Sequence, residues 1–167
     1  SQLSAAATQN FVCDDLFISG TDDASTLTPT CDLDASTDDT ASVLERSRAK
    51  YRDQLVVIHK DNGGEASAVN FGFRQVQTTF VCVVNADDPL LGSHGAQMLQ
   101  ALESAPASVV AYPDWQMIDE SGEVLDHRRT KEYDIRSLVG DFVCIPGPGA
   151  VIRTDAVPGD LRNEKTF

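Results

Sequence analysis

Short apolar runs alternate with segments of helical periodicity along most of the chain. The clearest run, Phe80 to Val84, is apolar and partly β-branched, and a polar turn that contains Asp87 and Asp88 follows it before Pro89. A short run that ends in a polar cluster and a proline predicts a buried strand with a turn at its carboxyl end. We therefore place the candidate chemistry of the chain at that turn.

The same pattern predicts the other elements and the class of fold. Strands are predicted at residues 11–19, 54–59, 80–84, 108–112 and 150–153. Helices are predicted after residues 34–40 and at residues 66–77 and 93–104. A Glu-Ser-Gly centre between two apolar stretches predicts a hairpin around residue 121. This alternation predicts an α/β fold with a mainly parallel sheet flanked by helices.

Composition indicates a globular chain with strong negative charge. Of its 167 residues, 41% are apolar and 23% are charged, which suits one domain with a buried core. The formal net charge of −13 argues against a nucleic-acid partner or an anionic membrane surface. A protein this acidic needs a cation or a local basic patch to bind a phosphorylated ligand.

Cysteine spacing and hydropathy bear on the compartment. The four cysteines form no Cys-x-x-Cys pair, so zinc is not expected, and Cys82 and Cys144 are predicted to be small core residues. No apolar run approaches the roughly 18 residues of a transmembrane segment, and the N-terminus as given lacks the regions of a signal peptide. We therefore expect a soluble, cytoplasmic protein.

The adjacent acids Asp87 and Asp88 allow two interpretations. In open parallel sheets, ligands bind beyond the carboxyl ends of the strands, where carboxylates suit a hard divalent cation and the phosphates that it bridges. Alternatively, the two acids only end the strand and begin the next helix, because Asp is common in turns and at N-caps. These two residues alone do not decide between the alternatives.

Four segments in register resemble the motifs of family 2 glycosyltransferases. Residues 34–40, Asp-Ala-Ser-Thr-Asp-Asp-Thr, resemble that family's Asp-Gly-Ser-x-Asp-x-Thr loop. Residues 62–64, Asn-Gly-Gly, and 68–72, Ala-Val-Asn-Phe-Gly, resemble its Asn-x-Gly and Ala-Arg-Asn-x-Gly elements. Residues 85–88, Asn-Ala-Asp-Asp, resemble its Asp-x-Asp-Asp metal motif. The similarity runs from about residue 32 to residue 162.

The resemblance implies a GT-A fold, which is Rossmann-like, and an inverting transfer of a sugar from a nucleotide-diphosphate sugar such as a UDP-sugar. It implies nucleotide-sugar binding by Asp34, Ser36, Asp38, Asn62, Asn70 and Asp87. It also implies that Asp87, assisted by Asp88, coordinates Mn²⁺ or Mg²⁺ on the diphosphate. The acceptor, whether glycan, lipid or protein, is not identified by these motifs.

Three departures from the family pattern shape the expected domain. Asn85 stands where the family has the first acid of its metal motif, and residues 1–30 contain no clear equivalent of the first strand. The general base of the family falls beyond residue 167, so we assign no catalytic residue. We expect a truncated catalytic domain at 31–167, incomplete at both ends, preceded by a poorly defined segment at 1–30 that holds one strand. An unpaired sheet edge would favour self-association.

Two other function classes remain open from the sequence. Asp32, Asp34, Ser36 and Asp38 alternate as in a calcium-binding loop, although Thr37 stands at the sixth position and Val43 at the twelfth. A non-catalytic module that binds a nucleotide sugar or a partner on the same fold is the third possibility, since fold does not settle function.

Residues outside the motifs receive mainly structural interpretations. Trp115 is read as core or rim packing, with stacking on an acceptor sugar as the alternative. The basic cluster Arg128, Arg129 and Lys131 is read as a solvated loop, with a contact to diphosphate or an anionic acceptor as the alternative. His94 is read as an ordinary polar residue.

Overall fold

The computed structural model describes residues 15–20, 27–34, 40–51, 55–61, 63–85, 88–141, 146–147 and 149–162. The strands are β1 Asp15–Gly20, β2 Leu27–Asp34, β3 Val56–Lys60, β4 Phe80–Val84, β5 Val110–Ala111, β6 Trp115–Ile118, β7 Val124–Arg128 and β8 Val151–Arg153. The helices are α1 Thr40–Tyr51, α2 Glu65–Phe73, α3 His94–Ser104 and α4 Ile135–Gly140. A 3₁₀ turn follows β8 at Thr154–Ala156. The predicted α/β class is confirmed.

Six strands form one sheet in the order β3-β2-β1-β4-β8-β5, and β6 pairs separately with β7. Strands β2 and β3 are parallel neighbours, whereas β1 lies antiparallel between β2 and β4. Strand β8 likewise lies antiparallel between β4 and β5. The predicted mainly parallel pairing is therefore not confirmed, although β2, β3, β4 and β5 all point the same way. Their carboxyl ends consequently lie at one edge of the sheet.

The N-terminal segment contributes more than the single strand predicted for it. Its strand β1 fills the position between β2 and β4, and β2 begins at Leu27, in a stretch to which the sequence assigned no element. Only six residues connect β1 to β2. Since a parallel pair needs a crossover of a dozen or more residues, so short a connection requires the antiparallel arrangement. Self-association through a missing strand stays a prediction.

Strand β4 is buried on both faces, as its apolar run predicted. Phe80, Cys82 and Val84 pack with Leu99 and Leu102 of α3. On the opposite face, Val81 packs with Val69 of α2. Successive side chains of a strand point to opposite faces, so β4 lies at the centre of three layers, helix, sheet and helix. Burial raises the pKa of the Cys82 thiol to about 12, which fits the predicted core role.

The C-terminal segment, residues 154–162, folds back over α2. Arg74, the residue that caps the C-terminus of α2, forms an ion pair with Asp160 at 2.7 Å, and Leu161 packs into the cluster on the α2 side of the sheet. The hydroxyl of Thr154 donates to the carbonyl of Thr78 at 2.7 Å. These contacts join the end of the described chain to the helix that precedes β4.

The hairpin predicted around the Glu-Ser-Gly centre is confirmed as β6 and β7. The carboxylate of Asp119 accepts hydrogen bonds from the backbone N–H of Ser121 and of Glu123, both at 2.9 Å. The Ser121 hydroxyl and these amides lower the pKa of Asp119, because they favour its charged form. Gly122 completes the turn with a φ of 85°. All residues of both strands are exposed.

Candidate functional site

The candidate site lies where β2, β3 and β4 end. Asp34, the last residue of β2, pairs with Lys60 of β3, and Val84, the last residue of β4, lies level with Cys31 of β2 across the intervening β1. Strands lie about 4.8 Å apart and rise about 3.3 Å per residue, so the backbones of Asp34 and Asn85 are separated by roughly 12 Å. The sheet therefore brings the carboxyl ends of β2 and β4 to one edge.

A hydrogen-bonded turn follows β4 directly. The backbone N–H of Asp88 donates to the carbonyl of Asn85 at 3.2 Å, and the side-chain amide of Asn85 donates to the Asp88 carboxylate at 2.7 Å. An acid in place of Asn85 would repel that carboxylate at this distance, whereas the amide holds it. Since a carboxylate has about four lone-pair positions, Asp88 keeps several for another ligand.

Two glycines, Gly147 and Gly149, precede β8. Antiparallel pairing of Val151 with Cys82 brings Gly149 alongside Val84 at the end of β4. A Cβ atom on Gly147 would lie 3.3 Å from Cδ1 of Trp115, so the first of these glycines packs against the indole ring. Trp115 is 38% exposed, which places it at the rim of the site rather than in the core.

Gly149 packs against the first residue of α3, His94. A Cβ atom on Gly149 would lie 3.0 Å from Cε1 and 3.3 Å from Nε2 of the His94 ring. Among the described residues, Nε2 of that ring is buried and has no hydrogen-bond partner. Burial lowers the pKa of His94 below its ordinary value, and the adjacent polar backbone of Gly149 opposes this shift in part. His94 is therefore neutral at pH 7.

Acid is expected to destabilise the fold through His94. Because its pKa is lower in the folded chain than in the unfolded chain, the unfolded state binds more protons as the pH falls below about 6.5. The melting temperature should therefore fall between pH 7.5 and 5.5 by calorimetry. The depressed pKa values of Asp114, Asp119 and Asp134 act only near and below pH 4 and do not contribute in this range.

A variant without a titrating ring supplies the control for this pH dependence. His94→Asn keeps a polar side chain at this position but does not titrate, so its melting temperature should change less than that of the wild type between pH 7.5 and 5.5. Equal slopes for both proteins would show that His94 does not cause the effect.

The structure describes some of the predicted site residues and not others. For Asp34 the structure describes the backbone position, and Asp88 lies in the turn after β4. Four of the predicted residues lie outside the described residues: Ser36, Asp38, Asn62 and Asp87. The described residues contain no group of three or more His, Cys, Asp or Glu side chains placed to hold a metal ion. The divalent cation thus stays a prediction that depends on Asp87 together with Asp88.

Asn70 occupies a structural position in α2. It is fully buried, its amide donates to the carbonyl of Arg162 at 2.8 Å, and its side-chain oxygen accepts from the N–H of Arg162 at 2.7 Å. The side chain therefore binds the main chain of the C-terminal segment. Its predicted place on the nucleotide side of the pocket stays a prediction.

The calcium-loop interpretation does not fit the backbone at two of its four ligand positions. Asp32 and Asp34 belong to β2 and pair in register with Ile58 and Lys60 of β3. A calcium loop wraps around its ion with a sharp turn at the sixth position, whereas these residues run straight along a sheet.

Sequence reasoning missed the position of His94 at the site. The alternating Pro and Gly at residues 146–149 indicated an unusual backbone path, but not which ring would pack against it. One signal was present, since His94 is separated from the acidic turn only by a short apolar and Gly-Ser stretch. Trp115, interpreted as core or rim packing, is exposed and packs against Gly147, and stacking on an acceptor sugar stays a prediction.

A three-layer α/β fold with acidic residues at the carboxyl ends of its strands defines the class of ligand-binding α/β domains. The family model described as Glycosyl transferase family 2 matches residues 33–157. The chain therefore belongs to the family 2 glycosyltransferases, and the fold is GT-A.

Curated relatives agree with this family over part of the chain. A protein of Rickettsia conorii named as an uncharacterized glycosyltransferase is 30% identical over 84 residues, which cover 48% of this chain and 14% of the relative. One from Rickettsia bellii with the same description is 28% identical over 82 residues, covering 47% of this chain and 12% of the relative. The similarity thus spans only a small part of those longer proteins.

In the part of the chain that the structure describes, no helix has the length and apolar character needed to cross a bilayer.

Proposed function

We propose that this chain is the donor-binding part of an inverting glycosyltransferase that uses a nucleotide-diphosphate sugar and a divalent cation, Mn²⁺ or Mg²⁺. Family membership supports the reaction class. The observation that carries the donor site is the Asn85–Asp88 hydrogen bond at the end of β4, on the sheet edge where Asp34 ends β2. That edge is where open α/β sheets bind nucleotides.

The residues of the turn suit a hard cation. Asp88 is half-buried, is oriented by Asn85, and presents oxygen, the ligand atom that Mg²⁺ and Mn²⁺ prefer. When bound, the cation would neutralise the charge that develops on the diphosphate as the sugar–phosphate bond breaks. Asn85 would keep the Asp88 carboxylate in place before the ligand arrives, which lowers the cost of ordering on binding.

The acceptor side of the reaction needs a base. In a single displacement with inversion, the base removes the proton of the acceptor hydroxyl as its oxygen attacks the anomeric carbon. We assign this role to no residue of the chain. A non-catalytic module that only binds the donor would share the same site, and turnover separates it from an enzyme.

Cation-dependent nucleotide binding tests the proposal. Isothermal titration of UDP should give a dissociation constant at least about tenfold lower with Mn²⁺ than without it, because a bridging ion adds charge-assisted contacts and each tenfold change is 1.4 kcal/mol. Asp88→Ala should remove most of this gain, and Asp87→Ala should abolish it.

Glu103→Ala supplies the matched control, because it removes an exposed acid at the far end of α3 from the site. It should bind UDP as the wild type does. Binding that is independent of the cation, or an Asp88→Ala variant that matches the wild type, would contradict the proposed donor site. Release of UDP from a UDP-sugar in the presence of acceptor would distinguish the enzyme from the binding module.

A further inference from the structure

A basic segment, residues 129–131 (Arg-Thr-Lys), is held beside the end of β5. The hydroxyl of Tyr112, the first residue after β5, donates to the carbonyl of Lys131 at 2.9 Å. The carboxylate of Asp114 accepts hydrogen bonds from the backbone N–H of Thr130 at 2.9 Å and from its hydroxyl at 3.0 Å. These bonds fix the basic segment to the residues that leave β5.

The basic segment thereby lies at the same edge of the sheet as the Asp88 turn. Ala111 of β5 and Cys82 of β4 both pair with Val151 of β8, so β4 and β5 run in the same direction with β8 between them. Two strand spacings separate them, roughly 10 Å. The strand order places β5 and the basic segment on the side of the Asp88 turn opposite to Asp34.

The two cations of the basic segment are exposed and form no ion pair within the described ranges. Neither Arg129 nor Lys131 has a carboxylate at ion-pair distance there, whereas Arg128 pairs with Asp126 at 2.9 Å. The pKa of Asp114 is lowered mainly by the hydrogen bonds that it accepts and further by the charge of Arg129, which places this guanidinium near the end of β5. In a chain with a net charge of −13, two such fixed cations provide a local place for an anion.

An aromatic ring borders the same segment. Trp115 directly follows Asp114, pairs across the hairpin with Arg128, and packs against Gly147, and more than a third of its surface stays exposed. An indole face suits the apolar C–H face of a sugar ring, and a cation suits an anionic group on that sugar. The ring and the two cations therefore offer complementary contacts to one kind of ligand.

We propose that Trp115, Arg129 and Lys131 form an acceptor subsite for an anionic glycan, in which a sugar ring packs on the indole and the two cations bind a carboxylate or phosphate group. That this ligand is the acceptor rests on the proposed function. A donor that runs along the edge from Asp34 to Asp88 directs its sugar toward β5. The basic segment lies on that side, where the acceptor has to approach.

Fluorescence of Trp115 measures binding at this place, because the chain contains a single tryptophan. The full chain is titrated with trigalacturonic acid and, in parallel, with its methyl ester, which has the same sugar rings but no charge. The acid should bind at least about fivefold more tightly than the ester, and added salt should reduce this difference. Glucose 6-phosphate against glucose gives the same comparison for a phosphate group, so the two pairs show which anion the subsite prefers.

Variants separate the cations from the ring. Arg129→Ala/Lys131→Ala should weaken binding of the better anionic probe by about fivefold to tenfold and should leave binding of its uncharged counterpart unchanged, because only charge-assisted contacts are lost. Trp115→Leu, measured by calorimetry, should weaken the charged and the uncharged probe alike. Arg46→Ala/Arg48→Ala removes the same charge from exposed positions of α1 and is the control, which should bind as the wild type does.

Several outcomes would overturn the subsite. Neither anionic probe binding better than its uncharged counterpart would remove the anion from the proposal. Equal losses in Arg129→Ala/Lys131→Ala and in the α1 control would assign the effect to net charge and not to this place.

UDP with Mn²⁺ distinguishes an acceptor subsite from a donor contact. If Arg129→Ala/Lys131→Ala weakened UDP binding as much as binding of the anionic glycan, the cations would serve the donor diphosphate, and the acceptor subsite would be wrong. The glycan titrations contain no UDP. If the wild type does not bind UDP, the proposed donor site fails, and Trp115 fluorescence still decides whether an anionic glycan binds here.

Discussion

Replacing Asn70 with leucine is expected to lower the free energy of unfolding by about 2–4 kcal/mol, measured by urea denaturation. The side chain is fully buried and makes two hydrogen bonds, at 2.8 and 2.7 Å, to the main chain of Arg162. Leucine can make neither bond, so the carbonyl and the N–H of Arg162 lose their partner. The C-terminal segment should detach from α2 before the rest of the sheet unfolds.

Arg162→Ala is the matched control for this expectation. Asn70 binds the backbone of Arg162, which alanine retains, whereas the Arg162 side chain forms an exposed ion pair with Glu65 at 3.2 Å. Exposed pairs contribute about 0–1 kcal/mol, so this variant should be close to the wild type. If Arg162→Ala cost as much as Asn70→Leu, the side-chain pair and not the Asn70 clamp would hold the segment.

Replacing Gly149 with alanine is expected to destabilise the chain by about 2–4 kcal/mol, again by denaturant titration. The left-handed φ of 80° costs an alanine about 1–2 kcal/mol, and the new methyl group must also displace His94 and Leu90, which lie 3.0 and 3.1 Å away. Because both neighbours adjoin the Asp88 turn, UDP binding should weaken in the same variant.

Gly122→Ala separates the cost of the left-handed backbone from the cost of the steric clash. Gly122 has a similar φ, 85°, but a Cβ atom there would meet nothing within 4 Å. This variant should therefore lose only the backbone contribution, about 1–2 kcal/mol, and should leave UDP binding unchanged. Equal losses for the two glycines would mean that the ring of His94 moves aside without cost.

Local pattern predicted much of the fold. The apolar run of β4, with its abrupt polar end, and the apolar spacing of α3 are signals that depend on a few neighbouring residues. Both elements bury the faces that the pattern indicated, with Leu99 and Leu102 in the core. The hairpin at residue 121 was predictable for the same reason, since its turn chemistry lies within five residues.

The strand order and β2 were less predictable. Strand β2 contains Pro29, which lacks a backbone N–H, and alternates polar residues with few large apolar ones, so nothing in its composition indicates a central strand. The reversed direction of β1 follows from its pairing with β2 and β4, which are close in space but not in sequence. Such pairings depend on long-range packing that no short window contains.

Some features of the candidate site were likewise predictable from the sequence, and others were not. The motif resemblance indicated the edge at which Asp34 and Asp88 lie, because each motif is contiguous in the chain. It did not indicate that Asn70 binds a main chain 92 residues away, or that His94 meets Gly149. Each of these contacts depends on how the C-terminal part of the chain returns to the sheet.

Because β4 is buried on both faces, a ligand bound at its carboxyl end should affect the stability of the whole fold. A loop at the margin of a protein can open on its own, and a ligand there protects only its own amides. The turn at Asn85 continues directly from the most enclosed strand, packed by α2 on one side and by α3 on the other. Ligand binding should therefore slow hydrogen exchange that requires global unfolding. The free energy of global unfolding should rise as the site becomes saturated with ligand.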